Sequence, residues 1–380
     1  MDRMDWTRPN WRCDSEPVDH SPEEKLVYDD EVRAETDHLY ERVRDVILPE
    51  EWPAHAPLIA AINRLKKERG AVILAHNYMT PEIFSCVGDL SGDSLALARM
   101  AADVGDDIIV QAGVHFMAET AKIMCPDKTV LIPDMRAGCS LAESITGEDV
   151  AAIKAKYPDL PIVTYVNTSA AVKAEADVCC TSGNAVQVVE WAAKEWNTDT
   201  VILIPDEFLA KNVAANTDIR ILTWKGACEV HERFTAEDVE ALREGHPGVV
   251  VLTHPESPSD VVAAADYAGS TAGMAAYVKN NQPAKVVLLT ECSMSDNVAI
   301  ENPGVKFVRP CNLCLHMKRI TLQNIYDALR YNQHEVEVDE TIAERARVSI
   351  QRMLDLPKPD SPAMFNKGRP AVEVGLVEGR

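Results

Sequence analysis

The chain has 380 residues, 10 of them cysteine, and its 60 acidic and 38 basic side chains give a formal net charge of −22. This charge argues against a nucleic-acid partner, because phosphate backbones are bound by basic surfaces. The sequence has no apolar run of 18 residues and its charged start lacks the core of a signal peptide, so we expect neither a membrane partner nor secretion. Many cysteines without such a signal are typical of the reducing cytoplasm, where we expect this protein.

Residues 1–56 match nothing else in the chain and are predicted to form an N-terminal extension, an arm followed by a helix within 23–46. After them, one pattern occurs three times: an apolar run with a polar end, a serine, two further apolar runs and a cysteine. The distances from serine to cysteine are nearly constant at 45, 46 and 44 residues, for the pairs Ser94 and Cys139, Ser182 and Cys228, and Ser270 and Cys314. Chance does not maintain three spacings so closely, so the pattern indicates a structural repeat.

The repeat divides the remaining chain into three similar domains and a C-terminal helix with a tail, at 57–145, 146–234, 235–319 and 320–380. Apolar runs in each copy alternate with alanine-rich amphipathic stretches, which is typical of buried parallel strands joined by helices. The predicted fold is α/β, with a β-α-β-α-β order and three αβα layers in each domain. Helices that begin near Thr146 and Thr235, each with an acid three residues on, are predicted to join the domains. A pseudo-threefold axis would bring equivalent residues of the three domains to one central site.

Polar side chains end the first apolar run of every copy. In parallel sheets, ligands bind beyond the carboxyl ends of the strands, where these side chains would lie. Capping of the strand is the simpler explanation for any one of them, but three equivalent sets beside three cysteines favour a shared pocket. The sets are His76-Asn77-Tyr78, Tyr165-Val166-Asn167 and His254-Pro255-Glu256.

The repeated hydroxyl residues open the next helix in each copy: Ser94, Ser182, and Ser270 with Thr271. Such residues are often plain N-caps. The N–H groups and dipole of a helix N-terminus also bind carboxylate and phosphate, and the shared spacing to the cysteines favours this second interpretation. An acidic protein would hold anionic substrates in this way without arginine.

The repeated cysteines, Cys139, Cys228 and Cys314, are predicted to meet at the central site as metal ligands. Three thiolates suit zinc or an iron–sulfur cluster. Structural zinc usually has four ligands, often in close Cys-x-x-Cys pairs, whereas here each domain supplies one ligand and only Cys311 and Cys314 form such a pair. A [4Fe-4S] cluster with three cysteine ligands leaves one iron open and agrees best with the long spacing.

Over about residues 58–330, the chain resembles the quinolinate synthase family. The resemblance rests on segments that include the strand ends, the helix openings and the cysteines. They are Ala75-His-Asn-Tyr78, Gly92-Asp-Ser94, Ala137-Gly-Cys139, Tyr165-Val-Asn-Thr168, Thr181-Ser-Gly-Asn-Ala185, Gly226-Ala-Cys-Glu-Val-His231, His254-Pro-Glu256, Gly269-Ser-Thr271 and Cys314-Leu-His-Met-Lys318. The resemblance implies three domains around a pseudo-threefold axis, with one cluster cysteine from each, as the repeat also suggests.

The resemblance implies an enzyme of de novo NAD biosynthesis that condenses iminoaspartate with dihydroxyacetone phosphate to quinolinate, with release of phosphate and water. It also implies a [4Fe-4S] cluster that is not redox-active and whose open iron acts as a Lewis acid. Iminoaspartate would come from a functional partner, L-aspartate oxidase or aspartate dehydrogenase.

Carried over position by position, the resemblance implies three groups of site residues. The cluster ligands would be Cys139, Cys228 and Cys314. The carboxylates and phosphate of the substrates would be held by His76, Ser94, Tyr165, Asn167, Ser182, His254, Glu256 and Thr271. Proton transfers, which isomerisation and dehydration both require, would be carried out by Tyr78, Glu256 and His231.

Two positions depart from the family pattern: Ser257 stands where cysteine is frequent, and Leu315 follows Cys314 where proline is usual. The second departure leaves Cys311 as an alternative ligand, although the constant spacing of 9 residues from the last apolar run favours Cys314. The residues alone leave other functions open. These are another three-domain, three-cysteine enzyme, such as an isoprenoid diphosphate reductase or a diphthamide synthesis protein, a non-enzymatic iron–sulfur sensor, and a zinc-stabilised scaffold.

Overall fold

A computed structural model describes residues 26–310, 312–357, 364–365 and 374–377. It begins with two helices, α1 (Asp30–Val43) and α2 (Trp52–Arg69), which precede the first sheet. Asp29 caps α1 by accepting a hydrogen bond from the N–H of Val32, and α2 ends at Gly70, whose φ of 60° favours glycine. The helix predicted within 23–46 is present as α1, and the predicted arm lies outside the described residues up to residue 25.

Three parallel sheets follow, each with its own helices. The elements of the first are β1 (Ala71–His76), α3 (Pro81–Cys86), β2 (Leu90–Gly92), α4 (Ser94–Asp103), β3 (Ile108–Ala112), α5 (His115–Met124), β4 (Thr129–Leu131) and α6 (Ser140–Glu143). Those of the second are α7 (Gly147–Lys156), β5 (Ile162–Tyr165), α8 (Ala170–Glu175), β6 (Val178–Cys180), α9 (Ala185–Glu195), β7 (Thr200–Ile204), α10 (Glu207–Ala214), β8 (Arg220–Thr223) and a 3-10 turn at His231–Arg233.

The third sheet is followed by the last helices and a short strand. Its elements are α11 (Ala236–Gly245), β9 (Val250–Thr253), α12 (Ser259–Ala264), β10 (Tyr267–Ala268), α13 (Thr271–Asn281), β11 (Lys285–Leu289), α14 (Cys292–Glu301), β12 (Lys306–Val308) and a 3-10 turn at Met317–Arg319. The remaining elements are α15 (Leu322–Tyr331), α16 (Glu340–Asp355) and β13 (Gly375–Leu376). Helix α15 packs on α2 and contacts β3 of the first sheet, and α16 packs on α8 and contacts β6 of the second.

The three sheets share one strand order: β2-β1-β3-β4, β6-β5-β7-β8 and β10-β9-β11-β12. Every pairing of strands within these sheets is parallel, and β13 adds an edge strand beside β8 in the second sheet. All residues of β1 and β5 are buried, as expected for strands that helices cover on both faces. The prediction of an α/β fold with parallel sheets is confirmed.

The number of strands differs from the prediction of three per copy, because each copy of the repeat supplies four strands to its sheet. The additional strands are β2, β6 and β10, and each pairs with the first strand of its sheet. They have 3, 3 and 2 residues. Segments of this length are too short for a periodic pattern of apolar residues, so the alternation of runs and helices did not reveal them.

The joining helices begin where the hydroxyl–acid pairs predicted them. Thr146 and Asp149 form a reciprocal capping box at α7, and Thr235 and Asp238 form one at α11. A third capping box, with Thr321, opens α15. Among the described residues, no helix is both long and apolar enough to cross a lipid bilayer.

Candidate active site

The side chains predicted to form the site line one cavity. All three sheets contribute residues to its wall. The predicted residues among its lining are His76, Tyr78, Ser94, Cys139, Tyr165, Asn167, Ser182, Cys228, His231, His254, Glu256, Thr271 and Cys314. The structure thus brings all of them together, while their individual roles stay predictions.

The cavity lies at the carboxyl ends of the strands. His76 is the last residue of β1, Tyr165 is the last of β5, and His254 directly follows β9. Two of the hydroxyl residues open helices at the same place: Ser94 is the first residue of α4 and Thr271 is the first of α13. This placement follows from the parallel topology, which puts the ends of equivalent strands on one side of each sheet.

Glu256 is the central carboxyl of the cavity and is only 3% exposed. Its Oε1 accepts a hydrogen bond of 2.5 Å from the hydroxyl of Tyr165, and its Oε2 lies 2.8 Å from Nδ1 of His231. Burial disfavours the charged carboxylate, but the hydrogen bonds from His231 and Tyr165 favour it, and the pKa of Glu256 lies below its usual value. We therefore describe Glu256 as ionised at neutral pH.

Two imidazoles and two phenols of the cavity are neutral. Burial lowers the pKa of His76 to about 4 and that of His254 to about 3, so both imidazoles are uncharged at pH 7. Burial also raises the pKa of the Tyr78 and Tyr165 phenols well above the usual value. The ionised Glu256 therefore lies in a cavity wall that also contains uncharged imidazole and phenol groups.

A hydrogen-bond chain connects Tyr78 to this carboxylate. The Tyr78 hydroxyl lies 2.6 Å from Oγ1 of Thr290, which in turn lies 2.9 Å from Nε2 of His231. Nδ1 on the other side of the His231 ring faces Glu256 at 2.8 Å and the sulfur of Cys228 at 3.2 Å. The chain Tyr78–Thr290–His231–Glu256 joins the end of β1 to His231, which follows the second sheet, and to Thr290 and Glu256, which follow β11 and β9 of the third sheet.

The three predicted metal ligands have equivalent surroundings. Each is a free thiol of intermediate exposure at the cavity wall. Each sulfur accepts hydrogen bonds from the backbone N–H groups two and three residues further along the chain. The donors are Leu141 and Ala142 for Cys139, Val230 and His231 for Cys228, and His316 and Met317 for Cys314.

These N–H groups offset part of the cost of a buried thiolate. Burial raises the pKa of Cys139 to about 12 and also raises the pKa of Cys228 and Cys314, whereas the N–H groups lower it. A bound cation would supply the remaining stabilisation, because a coordinating thiol is deprotonated. The alternative ligand Cys311 lies outside the described residues.

Two further observations indicate that the cavity accommodates bound groups. Cys228, His231 and Glu256 bring their ligand atoms within 4.8 Å of one another, and so could hold a metal ion. Oδ1 of Asn167 is a buried oxygen without a hydrogen-bond partner at the cavity wall. Buried polar atoms are rarely left unpaired, so this oxygen is expected to receive a hydrogen bond from a ligand.

Sequence reasoning missed several residues that support the site. Thr290 is fully buried behind the wall, and Glu291 next to it is also fully buried. Glu291 lies 2.9 Å from Nζ of Lys318, which also donates to the carbonyl of Tyr78 at 3.0 Å. Lys318 belongs to a segment that the sequence singled out, but nothing in the sequence indicated its partner. Asp206, buried at the equivalent position of the second sheet, was also missed.

The family model of the quinolinate synthetase A protein matches residues 60–355. The chain belongs to the quinolinate synthetase A family. Quinolinate synthase of Caulobacter vibrioides is 60% identical over 355 residues, which cover 93% of this chain and 97% of that protein. Quinolinate synthase 1 of Mesorhizobium japonicum is 65% identical over 316 residues, which cover 83% of this chain and 96% of that protein. Quinolinate synthase of Xylella fastidiosa is 65% identical over 296 residues, 78% of this chain and 86% of that protein.

Membership of the quinolinate synthetase A family makes the chain an enzyme, as predicted. All of the cavity residues named above lie within the matched range. Among solved structures, CobK precorrin-6A reductase is 13% identical, with a TM-score of 0.18 over 70% of this chain and 99% of that one. A similarity of this size supports no argument about fold or function.

Proposed function

We propose that this enzyme condenses iminoaspartate with dihydroxyacetone phosphate to quinolinate, with release of phosphate and two waters. The observation that carries the proposal is the composition of one cavity, in which three equivalent thiols face polar side chains from the ends of three equivalent strands. The names of the curated relatives agree with the product. Such a reaction belongs to NAD biosynthesis.

We propose a [4Fe-4S] cluster with Cys139, Cys228 and Cys314 as its ligands. A single tetrahedral zinc with Zn–S bonds near 2.3 Å needs sulfurs about 3.8 Å apart. Within the described part of the chain, these three sulfurs do not form a group with all ligand atoms inside 4.8 Å. The wider spacing suits a cluster, and N–H hydrogen bonds to the sulfurs are among the features that tune one. When bound, the cluster supplies an open iron that acts as a Lewis acid.

The chain's own side chains suit two small anionic substrates. Hydroxyl, amide and neutral imidazole groups offer hydrogen bonds to carboxylates and phosphate without adding charge. We propose His76, Ser94, Tyr165, Asn167, Ser182, His254 and Thr271 for this role, and Glu256 as an acceptor for N–H or hydroxyl groups of the substrates. The apolar lining of Val114, Phe116 and Met317 excludes water from the same space, which strengthens each of these polar contacts.

We propose that Glu256, Tyr78 and His231 carry out the proton transfers of the reaction as general acids and bases. Glu256 is ionised, so it can accept a proton, whereas Tyr78 keeps its proton because burial raises the pKa of its phenol. His231 stands between them with Nδ1 facing Glu256 and Nε2 facing Thr290. Acid and base groups with separated pKa values are a common arrangement for enolisation and dehydration.

The arrangement of the units around the cavity is part of the proposal. We propose that the domains at 57–145, 146–234 and 235–319 are related by a pseudo-threefold axis through the cavity, with 1–56 and 320–380 added at the ends. Support comes from their shared strand order and from the equivalent residues that they contribute. We further propose a cytoplasmic location, and L-aspartate oxidase or aspartate dehydrogenase as the supplier of unstable iminoaspartate.

Anaerobic reconstitution tests the reaction and the cluster together. We expect protein with about four irons and four sulfides per chain, which forms quinolinate only when both substrates are present. Mass spectrometry of the product and chemical analysis of iron and sulfide provide the measurements. Protein with a complete cluster and no quinolinate would contradict the proposed reaction.

Substitution of single cysteines tests the ligand assignment. Cys139→Ser, Cys228→Ser and Cys314→Ser are each expected to lose the cluster and the activity. Cys125→Ser is the matched control, because Cys125 is a buried free thiol whose sulfur contacts the carbonyl of Ala101 and lies outside the cavity. If Cys314→Ser retains the cluster and Cys311→Ser loses it, the third ligand is Cys311 instead of Cys314.

A further inference from the structure

Two buried asparagines on helices of different sheets make the same pair of contacts. Asn212 lies in α10 and Asn297 lies in α14; each is 3% exposed, and neither is among the residues that line the cavity. Each is the sixth residue after the N-cap of its helix, which is Asp206 in α10 and Glu291 in α14. The two asparagines therefore occupy equivalent positions in the second and third sheets.

The side-chain amide of Asn212 reaches the turn that follows the first strand of the third sheet. Its Nδ2 donates to the carbonyl of Pro255 at 2.8 Å and to that of Ser257 at 2.9 Å. These two residues flank Glu256 in the chain. Because both N–H groups of the amide have an acceptor, the backbone on each side of this carboxylate is held from a helix of the second sheet.

Asn297 makes the equivalent contacts with the turn that follows β1. Its Nδ2 donates to the carbonyl of Asn77 at 3.0 Å and to that of Met79 at 2.7 Å. These two residues flank Tyr78. A helix of the third sheet thus holds the strand-end turn of the first sheet, as a helix of the second sheet holds that of the third.

The two turns share one pattern of backbone hydrogen bonds. In both, the N–H of the fourth residue donates to the carbonyl of the first, from Met79 to His76 at 2.9 Å and from Ser257 to His254 at 3.0 Å. The asparagine amide then donates to the second and fourth carbonyls. The third residue of each turn, whose side chain is proposed to transfer a proton, lies between these two held carbonyls.

The corresponding turn after β5 lacks this arrangement. The sixth residue after the N-cap of α5 is Thr120, whose hydroxyl donates to a carbonyl of its own helix. The N–H of Thr168 donates to the carbonyl of Val166, and its own carbonyl accepts from Nζ of Lys173. The fold therefore does not require an asparagine at each equivalent position. The asparagines occur at the two turns whose third residue is a proposed acid–base group.

We propose that Asn212 and Asn297 are positioning residues, which fix Glu256 and Tyr78 in place for proton transfer. The proposal rests on the proposed function, since it takes Glu256 and Tyr78 as groups that transfer protons. Neither asparagine touches the substrate itself. Without the amide, two backbone carbonyls of the turn lose their donors, and the turn is free to shift. A displacement of about 1 Å at a reacting group can lower the rate about 100-fold.

Replacement of each amide by an apolar side chain of similar size tests the proposal. Asn212→Leu and Asn297→Leu are each expected to lower kcat roughly 10- to 100-fold with little change in KM or in cluster content. Asn302→Leu is the matched control, because Asn302 ends α14 outside the cavity, is 3% exposed and donates to the carbonyl of Val298 at 2.8 Å. This control is expected to lose stability and to keep its kcat.

A double-mutant cycle tests whether each asparagine acts through its own turn. In a Tyr78→Phe background, Asn297→Leu is expected to add little further loss of kcat, whereas Asn212→Leu is expected to add a larger one. Full additivity of Asn297→Leu with Tyr78→Phe, or an Asn302→Leu variant as slow as Asn297→Leu, would overturn the proposal. If the leucine variants are recovered in low yield, alanine variants remove the same amides and provide the same comparison.

Crystal structures of the variants give a result that does not depend on the proposed reaction. In Asn212→Leu we expect the Glu256 carboxylate to move while Tyr78 keeps its position, and in Asn297→Leu we expect the reverse. Unmoved side chains in both variants would overturn the positioning role. If the wild-type enzyme with an intact cluster makes no quinolinate, the proposed function fails, while these positions still decide what the asparagines do.

Discussion

Asp206 and Glu291 occupy equivalent positions in two sheets but differ in the groups that surround their carboxyls. Each caps the helix after the third strand of its sheet, and each is bridged to the segment that leads to a cysteine of the cavity, Asp206 to Gly226 and Glu291 to Asn312. Glu291 pairs with Lys318 at 2.9 Å. Asp206 pairs with no cation among the described residues, and its Oδ2 is buried without a hydrogen-bond partner.

The difference shows how one backbone position serves two purposes. Burial raises the pKa of Asp206 well above its usual value, and the charge of Glu256 raises it further, so Asp206 is protonated and only caps its helix. The carboxylate of Glu291 accepts from the N–H of Cys314 as well as from Lys318, whose Nζ also reaches the carbonyl of Tyr78. The Glu291–Lys318 pair therefore connects a proposed cluster ligand to a proposed catalytic group.

Removal of the lysine gives the largest expected effect. Lys318→Met leaves Glu291 buried without its cation and is expected to lower the free energy of unfolding by about 3–5 kcal/mol. Urea denaturation of the variant measures this, with Arg319→Met as the control because Arg319 is the adjacent, exposed cation. A loss under about 1 kcal/mol, as for an exposed pair, would mean that Glu291 behaves like Asp206.

The buried imidazoles affect the stability of the protein at acidic pH in a different way from these two carboxyls. Burial lowers the pKa of His76 to about 4, whereas an unfolded histidine titrates near 6.5. Between these values the unfolded state binds a proton that the native state does not, so stability falls as the pH drops from about 6.5 to about 4. The contribution is on the order of 3 kcal/mol.

His76→Asn is expected to lose stability less steeply over that pH range in urea titrations of the metal-free protein. Tyr78→Phe provides the control, because it alters the same cavity without removing a group that titrates there. Equal slopes for His76→Asn and the wild-type protein would show that His76 is not the group responsible.

The bridge partners of the two acids also differ, since Gly226 faces Asp206 where Asn312 faces Glu291. A Cβ on Gly226 would lie 2.6 Å from Oγ of Ser144 and 2.7 Å from the carbonyl of Pro205. Gly226→Ala is therefore expected to destabilise the protein by about 1–3 kcal/mol through overpacking. Asn312→Ala, at the equivalent place, should cost less; an equal cost by thermal denaturation would argue against a steric origin.

The smallest expected effect at mildly acidic pH is that of Asp206→Asn, because the amide resembles the protonated acid. In the wild-type protein the native state keeps a proton that the unfolded state releases above about pH 4, so stability falls as the pH rises. The variant lacks this dependence and is expected to gain stability relative to the wild-type protein as the pH rises above about 4. Parallel curves of unfolding free energy against pH would mean that Asp206 is ionised.

The sequence predicted the cavity lining better than it predicted the sheets. His76, Tyr165 and His254 were placed at strand ends from apolar runs alone, and the structure puts them there. The strands β2, β6 and β10 escaped notice because 2 or 3 residues form no periodic pattern. Thr290 escaped notice for another reason: it ends the middle apolar run of the third copy, where the second copy has Pro205, and a buried threonine at a strand end is ordinary packing by composition.

The sequence by itself determined the family, the parallel α/β character and the residues of the cavity wall. These follow from order along the chain, since strand, polar end, helix opening and cysteine recur at constant spacing and parallel topology places equivalent ends together. Only the tertiary structure decided which side chains meet. Tyr78 and Thr290 are 212 residues apart, and Tyr165 and Glu256 are 91 apart. Hydrogen bonds between residues so far apart in the sequence depend on how separate sheets pack. No local sequence pattern encodes that Glu291 pairs with a lysine whereas Asp206 does not.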